Sequence, residues 1–247
     1  MTTRSTSHCL ANMFAATRTF LASRALGVCA LGVAAVGLGL APTAARAQTT
    51  PTVFVANYNA GTISTYTTTG TLLNANFITG LVGPTNILIS GSSLYVSNTN
   101  NGTIGQYSTA GGTQTSPVQT FSAGTSPRGL VLSGSNLLVA DLGTNPNTII
   151  SLPLAGGSPT TVTTTGAGAN GLALSGSSLF VSIAFDQILS KYSTGGILDP
   201  VFGGGSSIGG FGAGPGALAI NGSSLYVAFG TTNNIRTFDL SSRVRIK

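Results

Sequence analysis

The sequence predicts an all-β fold, a β-propeller of about five four-stranded blades, four complete and one incomplete. Three observations predict it. A phrase of the type Ser-Gly-Ser-Ser-Leu-Tyr-Val-Ser recurs with a period near 42 residues, the length of one propeller blade. Each copy divides into short apolar strands separated by Gly-Ser turns. The composition opposes helix: Gly numbers 35, Thr and Ser are abundant, and no Glu occurs.

The repeat is carried by Ser90–Ser97, Ser133–Ala140, Ser175–Ser182 and Asn221–Ala228, with a headless first copy at Val53–Ala56. Its valines stand at 55, 96, 139, 181 and 227, giving steps of 41, 43, 42 and 46. Each unit opens with an inner strand, expected at Asn86–Ser90, Gly129–Ser133, Gly171–Ser175 and Ala217–Asn221. These strands are apolar on consecutive positions, which suits a strand covered on both faces. A Gly-Ser turn supplies the positive φ of a tight hairpin. The second strand follows as Leu-apolar-Val.

The third strand pairs Ile63 with Tyr66, Ile104 with Tyr107, Ile149 with Leu152, Leu189 with Tyr192 and Ile235 with Phe238. A spacing of three puts the two side chains on opposite faces of a strand, as in a sheet sandwiched between two others. Thr115–Ser122, Ser158–Thr165 and Pro200–Phe202 complete the pattern as outer strands and loops. Gly203–Gly205 and Gly209–Gly210 are expected to form a flexible insertion that accounts for the 46-residue step. A solenoid, with coils of about 20–30 residues, fits the two hairpins of each unit less well.

The ends do not close neatly. The first blade begins at its second strand, Thr52–Asn57, and no C-terminal segment supplies its inner strand. Two closures compete: a five-bladed ring with an imperfect seam, or an open, truncated arc of a larger propeller. Arg243–Lys247 is expected to be the outer strand of the last blade, its charges discouraging edge-to-edge pairing.

Residues 1–47 are expected to be a signal peptide, and 48–247 the propeller domain. Arg18 and Arg24 precede an uncharged apolar run at 25–41, and Ala45-Arg46-Ala47 supplies a small-x-small cleavage site. Met13 is an alternative start. The run is short for a retained membrane anchor, and Val28 before Cys29 argues against a lipoprotein site. Cleavage removes Cys9, Cys29, His8 and both methionines. Six basic residues then face Asp141, Asp186, Asp199 and Asp239. With only 6% charged residues against about 25% in an ordinary domain, nucleic acid is not an expected partner. The expected destination is periplasmic or extracellular, without stable membrane insertion.

The repeats resemble the NHL and YVTN classes of secreted β-propeller. The resemblance rests on Val53–Asn59 followed by Gly61–Ser64, on Leu94–Asn98 with Gly102–Ile104, and on Ser126–Leu130. It covers residues 52–240. Enzymes with this repeat style include lactonase-like hydrolases, streptogramin lyases and amidating lyases. The resemblance implies, for such enzymes, metal-bound carboxylates or catalytic His and Glu in a central funnel. From residue 48 onward this chain has neither His nor Glu, so none of those sites transfers to a position here.

Candidate ligand positions lie where inner strands begin and second strands end. The beginnings are Thr85, Asn86, Arg128, Asn170 and Gly216; the ends are Asn57, Asn98 and Asp141, with Ile183 and Phe229 in the other copies. Arg128, Asn57, Asn98, Asp141 and Asn170 are the possible ligand-binding set. Asn and Asp at strand ends also satisfy turn backbone. Arg128, the one charged strand-start residue, either anchors a ligand or pairs with an acid, Asp141 being the candidate partner. No D-x-D-x-D run suggests calcium, and no catalytic residue, metal or cofactor is expected. Asn101-Gly-Thr and Asn221-Gly-Ser match the N-glycosylation pattern. The expectation is a non-catalytic binding or scaffolding module with a protein or polysaccharide partner. The alternatives are a hydrolase or lyase with an Asp-based or metal-dependent site, and a shortened, inactive paralogue.

Overall fold

The computed structural model describes residues 52–240, apart from 113, 122–123, 144–145 and 205–206. The expected leader and the basic tail Arg243–Lys247 lie outside the described residues. Five antiparallel sheets follow one another along the chain. Blade 1 holds β1 (Thr52–Asn57), β2 (Thr62–Thr67) and β3 (Leu72–Ile78). Blade 2 holds β4 (Pro84–Ser90), β5 (Ser93–Asn98), β6 (Thr103–Ser108) and β7 (Gln114–Thr120). Blade 3 holds β8 (Pro127–Ser133), β9 (Asn136–Asp141), β10 (Thr148–Pro153) and β11 (Thr160–Thr164). Blade 4 holds β12 (Ala169–Ser175), β13 (Ser178–Ile183), β14 (Ile188–Ser193) and β15 (Ser207–Ile208). Blade 5 holds β16 (Pro215–Asn221), β17 (Ser224–Phe229) and β18 (Asn234–Asp239). The fold is an all-β propeller.

Inner and second strands meet through two-residue turns, paired Ser90↔Ser93, Ser133↔Asn136, Ser175↔Ser178 and Asn221↔Ser224. The first turn residue is Gly91, Gly134, Gly176 or Gly222, with φ of 59, 60, 57 and 59°. This is the left-handed conformation that tight hairpins require and that a Cβ disfavours.

Packing between sheets follows the strand period. Leu94 and Val96 of β5 face blade 1, joining Phe54, Ile63 and Ile78. Tyr95, between them, faces blade 3 and joins Leu137, Val139 and Leu152. The third-strand pairs divide as their spacing predicts. Ile104 faces blade 3 while Tyr107 faces blade 1. Ile149 faces blade 4 while Leu152 faces blade 2. Leu189 faces blade 5 while Tyr192 faces blade 3. Four inter-blade cores result.

Among the described residues, no such core joins blade 5 to blade 1. Ile235, which matches buried Ile104, is 60% exposed, and Tyr226, which matches Tyr95, is 37% exposed. On blade 1, Val53, Val55 and Tyr66 are only partly buried, whereas their counterparts Leu94, Val96 and Tyr107 are buried. The described blades form an open arc.

Two expectations need correction. Inner strands begin two residues earlier than expected, at Pro84, Pro127, Ala169 and Pro215, and each carries a bulge near its start. Proline at a strand's first residue forfeits no ladder bond, and the bulge absorbs one extra residue. The outer strand of blade 4 is Ser207–Ile208; Pro200–Phe202 instead leads into a 3-10 turn at Phe202–Gly204. The Gly-rich insertion is pinned by Phe202 and Phe211, 4% and 8% exposed. Phe202 packs edge-on against Phe180 and Phe211 against Phe229, with ring centroids 5.7 and 5.2 Å apart. Apolar burial of these two rings anchors both sides of the insertion.

Candidate ligand site at the channel mouth

The inner strands β4, β8, β12 and β16 stand side by side about the propeller axis. Their bulged starts share one end of the molecule with the ends of the second strands. Two serines stitch this end together. Ser182 Oγ accepts the Gly171 N–H at 2.7 Å and donates to the Gly216 carbonyl of the next blade at 2.6 Å. Ser97 Oγ accepts the Asn86 N–H at 3.0 Å and donates to the Arg128 carbonyl at 2.8 Å. The bulge frees a backbone N–H, and the serine hydroxyl satisfies it while bridging the blades.

The second-strand ends are mostly occupied with their own turns. Asn57 donates through Nδ2 to Thr62 Oγ1 and Ser64 Oγ, at 3.1 and 3.0 Å. Asn98 donates to Thr103 Oγ1 at 3.2 Å. Asp141 Oδ1 accepts the N–H groups of Ser126 and Gly143, at 2.6 and 2.9 Å. Asn98 and Asp141 are 3% and 1% exposed. Asn170 is half-buried, its Nδ2 beside Gly216.

Arg128 does not pair with Asp141. The aspartate is drawn instead to backbone N–H groups of its own loop and the loop before β8, which can be reached with no long side chain to order. Asp186 Oδ2 accepts the Ala167 N–H at 2.9 Å, Asp199 pairs with Lys191 at 2.9 Å, and Asp239 lies at the far end of β18. Arg128 is therefore a half-buried guanidinium with no carboxylate partner among the described residues. Burial pushes its pKa below the ordinary value; the nearby Tyr58 phenol opposes that shift. An arginine so placed is still a cation.

Three side-chain atoms here are buried without a hydrogen-bond partner: Asn98 Oδ1, Arg128 Nε and Asp141 Oδ2. All three lie at the channel end of the neighbouring blades 2 and 3. Native proteins leave few such groups, and each calls for an explanation. The three atoms, one donor and two acceptors, are themselves closed off from solvent.

Sequence reasoning missed two further residues. Tyr58 Oη donates to Asn100 Oδ1 at 2.8 Å. Together they line a cavity of about 310 Å³ with Asn59, Gly61, Leu81 and Gly83. Gly83 makes room for the pair: at its φ of 66°, a Cβ would stand 2.7 Å from the Asn100 side chain and 3.1 Å from the Tyr58 ring. Tyr58 and Asn100 stand 42 residues apart, within one residue of the 41-residue step between the first two repeats, and that offset is the signal that could have linked them.

Comparisons with known proteins agree on the fold. The profile of the family described as "Lactonase, 7-bladed beta-propeller" matches residues 49–170. A chain of a nidogen/laminin complex superposes with a TM-score of 0.65 at 18% identity, covering 81% of this chain and 75% of that one. A protein of unknown function from Bacteroides caccae gives 0.61 at 16% identity, covering 79% and 71%. Virginiamycin B lyase from Staphylococcus aureus gives 0.57 at 14% identity, covering 78% and 64%. The search of curated proteins returns no match. At such identities the likeness carries the propeller fold and leaves function to the site.

Proposed function

We propose that this chain is an exported, non-catalytic β-propeller, a binding or scaffolding module of the cell envelope or extracellular space. Its ligand is held at the channel mouth around Arg128. One observation carries the reading: a half-buried guanidinium without a carboxylate partner, on the one inner-strand start that bears a charge. Burying an arginine costs free energy that a bound anion offsets. The export component rests on the leader pattern at 1–47. The non-catalytic component rests on the absence of His, Cys and Glu from residue 48 onward. The aspartates, moreover, are engaged in turns or an ion pair, or lie at the far end of β18.

A second reading, a propeller hydrolase or lyase, draws on the name of the matching family and on the lyase among the structural neighbours. Its one candidate group is Asp141, through the unpartnered Oδ2. The test incubates the full chain with isolated envelope and extracellular polymer fractions, and separately with a panel of lactones with and without divalent cations. The expected result is retention on a polymer fraction with no lactone turnover. Turnover that Asp141→Asn abolishes establishes the enzyme reading instead.

A further inference from the structure

We infer that the recess between blades 1 and 2 is a saccharide site, taking a neutral sugar unit on Tyr58, Asn59 and Asn100. The inference goes beyond the reading built on Arg128 and uses none of the same residues. The recess measures about 310 Å³, and Asn59 and Asn100 are exposed at its surface. Its walls are held by main-chain bonds. The Gly61 N–H donates to the Asn57 carbonyl at 2.9 Å, the Leu81 N–H to the Gly61 carbonyl at 3.0 Å, and the Thr99 N–H to the Gly83 carbonyl at 2.9 Å. The two turns and the loop before β4 therefore stand in place before a ligand arrives, as in most small-molecule sites.

The lining specifies the chemistry. Tyr58 Oη donates its hydrogen to Asn100 Oδ1. The phenol oxygen is left to accept, and Asn100 Nδ2 keeps two donors. Asn59 adds a second exposed amide. Leu81, Val82 and the Tyr58 ring supply apolar surface for the C–H face of a pyranose. Donors and an acceptor beside such a surface match a ring bearing neighbouring hydroxyls. No lining residue is charged, so an anion gains no counter-charge here. All of them lie in turns or loops, so an extended peptide finds no strand edge within the recess. Blade packing does not account for the phenol and amide. At the same register the following junctions carry Thr99 with Gly143, Leu142 with Phe185, and Ala184 with Thr231. Between blades 3 and 4 the Phe185 ring lies over Gly168, the counterpart of Gly83, 3.0 Å from where a Cβ would stand. Asn100 takes that place over Gly83, and beside its shorter side chain the recess stays open.

The test titrates the isotope-labelled full chain by amide NMR with maltotriose, cellotriose and mannotriose, and with tetraglycine and inorganic phosphate as controls. At least one trisaccharide is expected to bind, with the shifts centred on the amides of Gly61, Gly83 and Asn100. Asn100→Ala and Tyr58→Phe are each expected to weaken that binding about three- to tenfold. Asn59→Ala, which breaks no protein hydrogen bond among those described, is expected to weaken it as well, with a urea midpoint within error of the parent's. No binding by any trisaccharide, shifts centred elsewhere, or affinity undiminished in all three variants overturns the site. Tetraglycine or phosphate binding there as tightly as the best trisaccharide overturns the ligand class. Retention on an envelope fraction without trisaccharide binding defeats this inference alone, whereas lactone turnover defeats the module reading without touching this one.

Discussion

Replacing Ser182 by alanine tests whether side-chain hydroxyls join the blades at the axis. Ser182 is fully buried, and its Oγ serves the Gly171 N–H and the Gly216 carbonyl at 2.7 and 2.6 Å. Deleting it strands a backbone donor in blade 4 and an acceptor in blade 5, each costing about 1–3 kcal/mol when buried. Partial relaxation brings the expected loss to about 2–4 kcal/mol, or roughly 5–15 °C in Tm for a domain of this size. Ser97→Ala is the comparison. Thr85 Oγ1 lies 3.0 Å from Ser97 Oγ and 2.6 Å from Thr99 Oγ1, so a second hydroxyl remains to serve the bulge. Its expected cost is smaller, about 1–2 kcal/mol. Blade 3 carries Ala140 at the same register, and Ala140→Ser is expected to gain about 0.5–1.5 kcal/mol. Urea denaturation with an unchanged m-value is the assay. A Ser182→Ala midpoint equal to the parent's, or a larger loss from Ser97→Ala, refutes the bridging argument.

Other consequences can be measured on the same footing. A Cβ at Gly171 would stand 2.3 Å from the Gly216 carbonyl oxygen, so Gly171→Ala is expected to cost about 1–3 kcal/mol. Gly216→Ala, whose nearest neighbour would be the Ala228 oxygen at 3.4 Å, is expected to stay within about 0.5 kcal/mol; urea midpoints of both variants compare them. Phe202→Ala removes a 4% exposed ring that packs on Phe180 and is expected to cost about 3–5 kcal/mol, with new proteolytic cuts near residues 199–210. Burial raises the pKa of Tyr107 and of Tyr192, where a weaker hydrogen-bond effect of Ser190 opposes it. Their folded pKa values then exceed the unfolded ones, so their stability contribution is intact below about pH 10 and declines as pH rises through the folded values. Tyr192→Phe is expected to flatten the loss of urea midpoint between about pH 8 and about pH 10.5.

The parts of this fold that were legible in the sequence are those governed by local period. A spacing of three residues sends Ile104 and Tyr107 to opposite neighbours whatever surrounds the strand. A Gly-Ser pair between apolar runs makes a two-residue turn by backbone preference alone. For the candidate residues, the strand-start and strand-end placement was legible and the pairing was not. Arg128 and Asp141 sit at the expected positions, but loop geometry decided that Asp141 turns to Ser126 and Gly143. The bridging of Ser97 and Ser182 depends on how closely the next blade approaches, which no single repeat encodes. The anchoring of the glycine-rich insertion was not legible for a related reason: Phe202 and Phe211 pack in a core shared by blades 4 and 5.

The unsatisfied buried polar atoms among the described residues are concentrated at the channel end of blades 2 and 3. Elsewhere among the described residues, buried polar side-chain atoms find partners. Asn57 spends both its donors on hydroxyls, and Asn147 links the Leu142 carbonyl to the Gly168 N–H. A fold that satisfies its turns this well has no structural need to leave a carboxylate oxygen, an amide oxygen and a guanidinium nitrogen open on two adjacent blades. Each open group costs stability, and an apolar or smaller residue was available at every position. Blade 4 ends its second strand with Ile183, and blade 5 with Phe229, both 1% exposed. Blade 5 begins its inner strand with Pro215-Gly216, where blade 3 has Pro127-Arg128. The same architecture therefore tolerates fully apolar solutions, so blade packing alone does not require the polar one at blades 2 and 3.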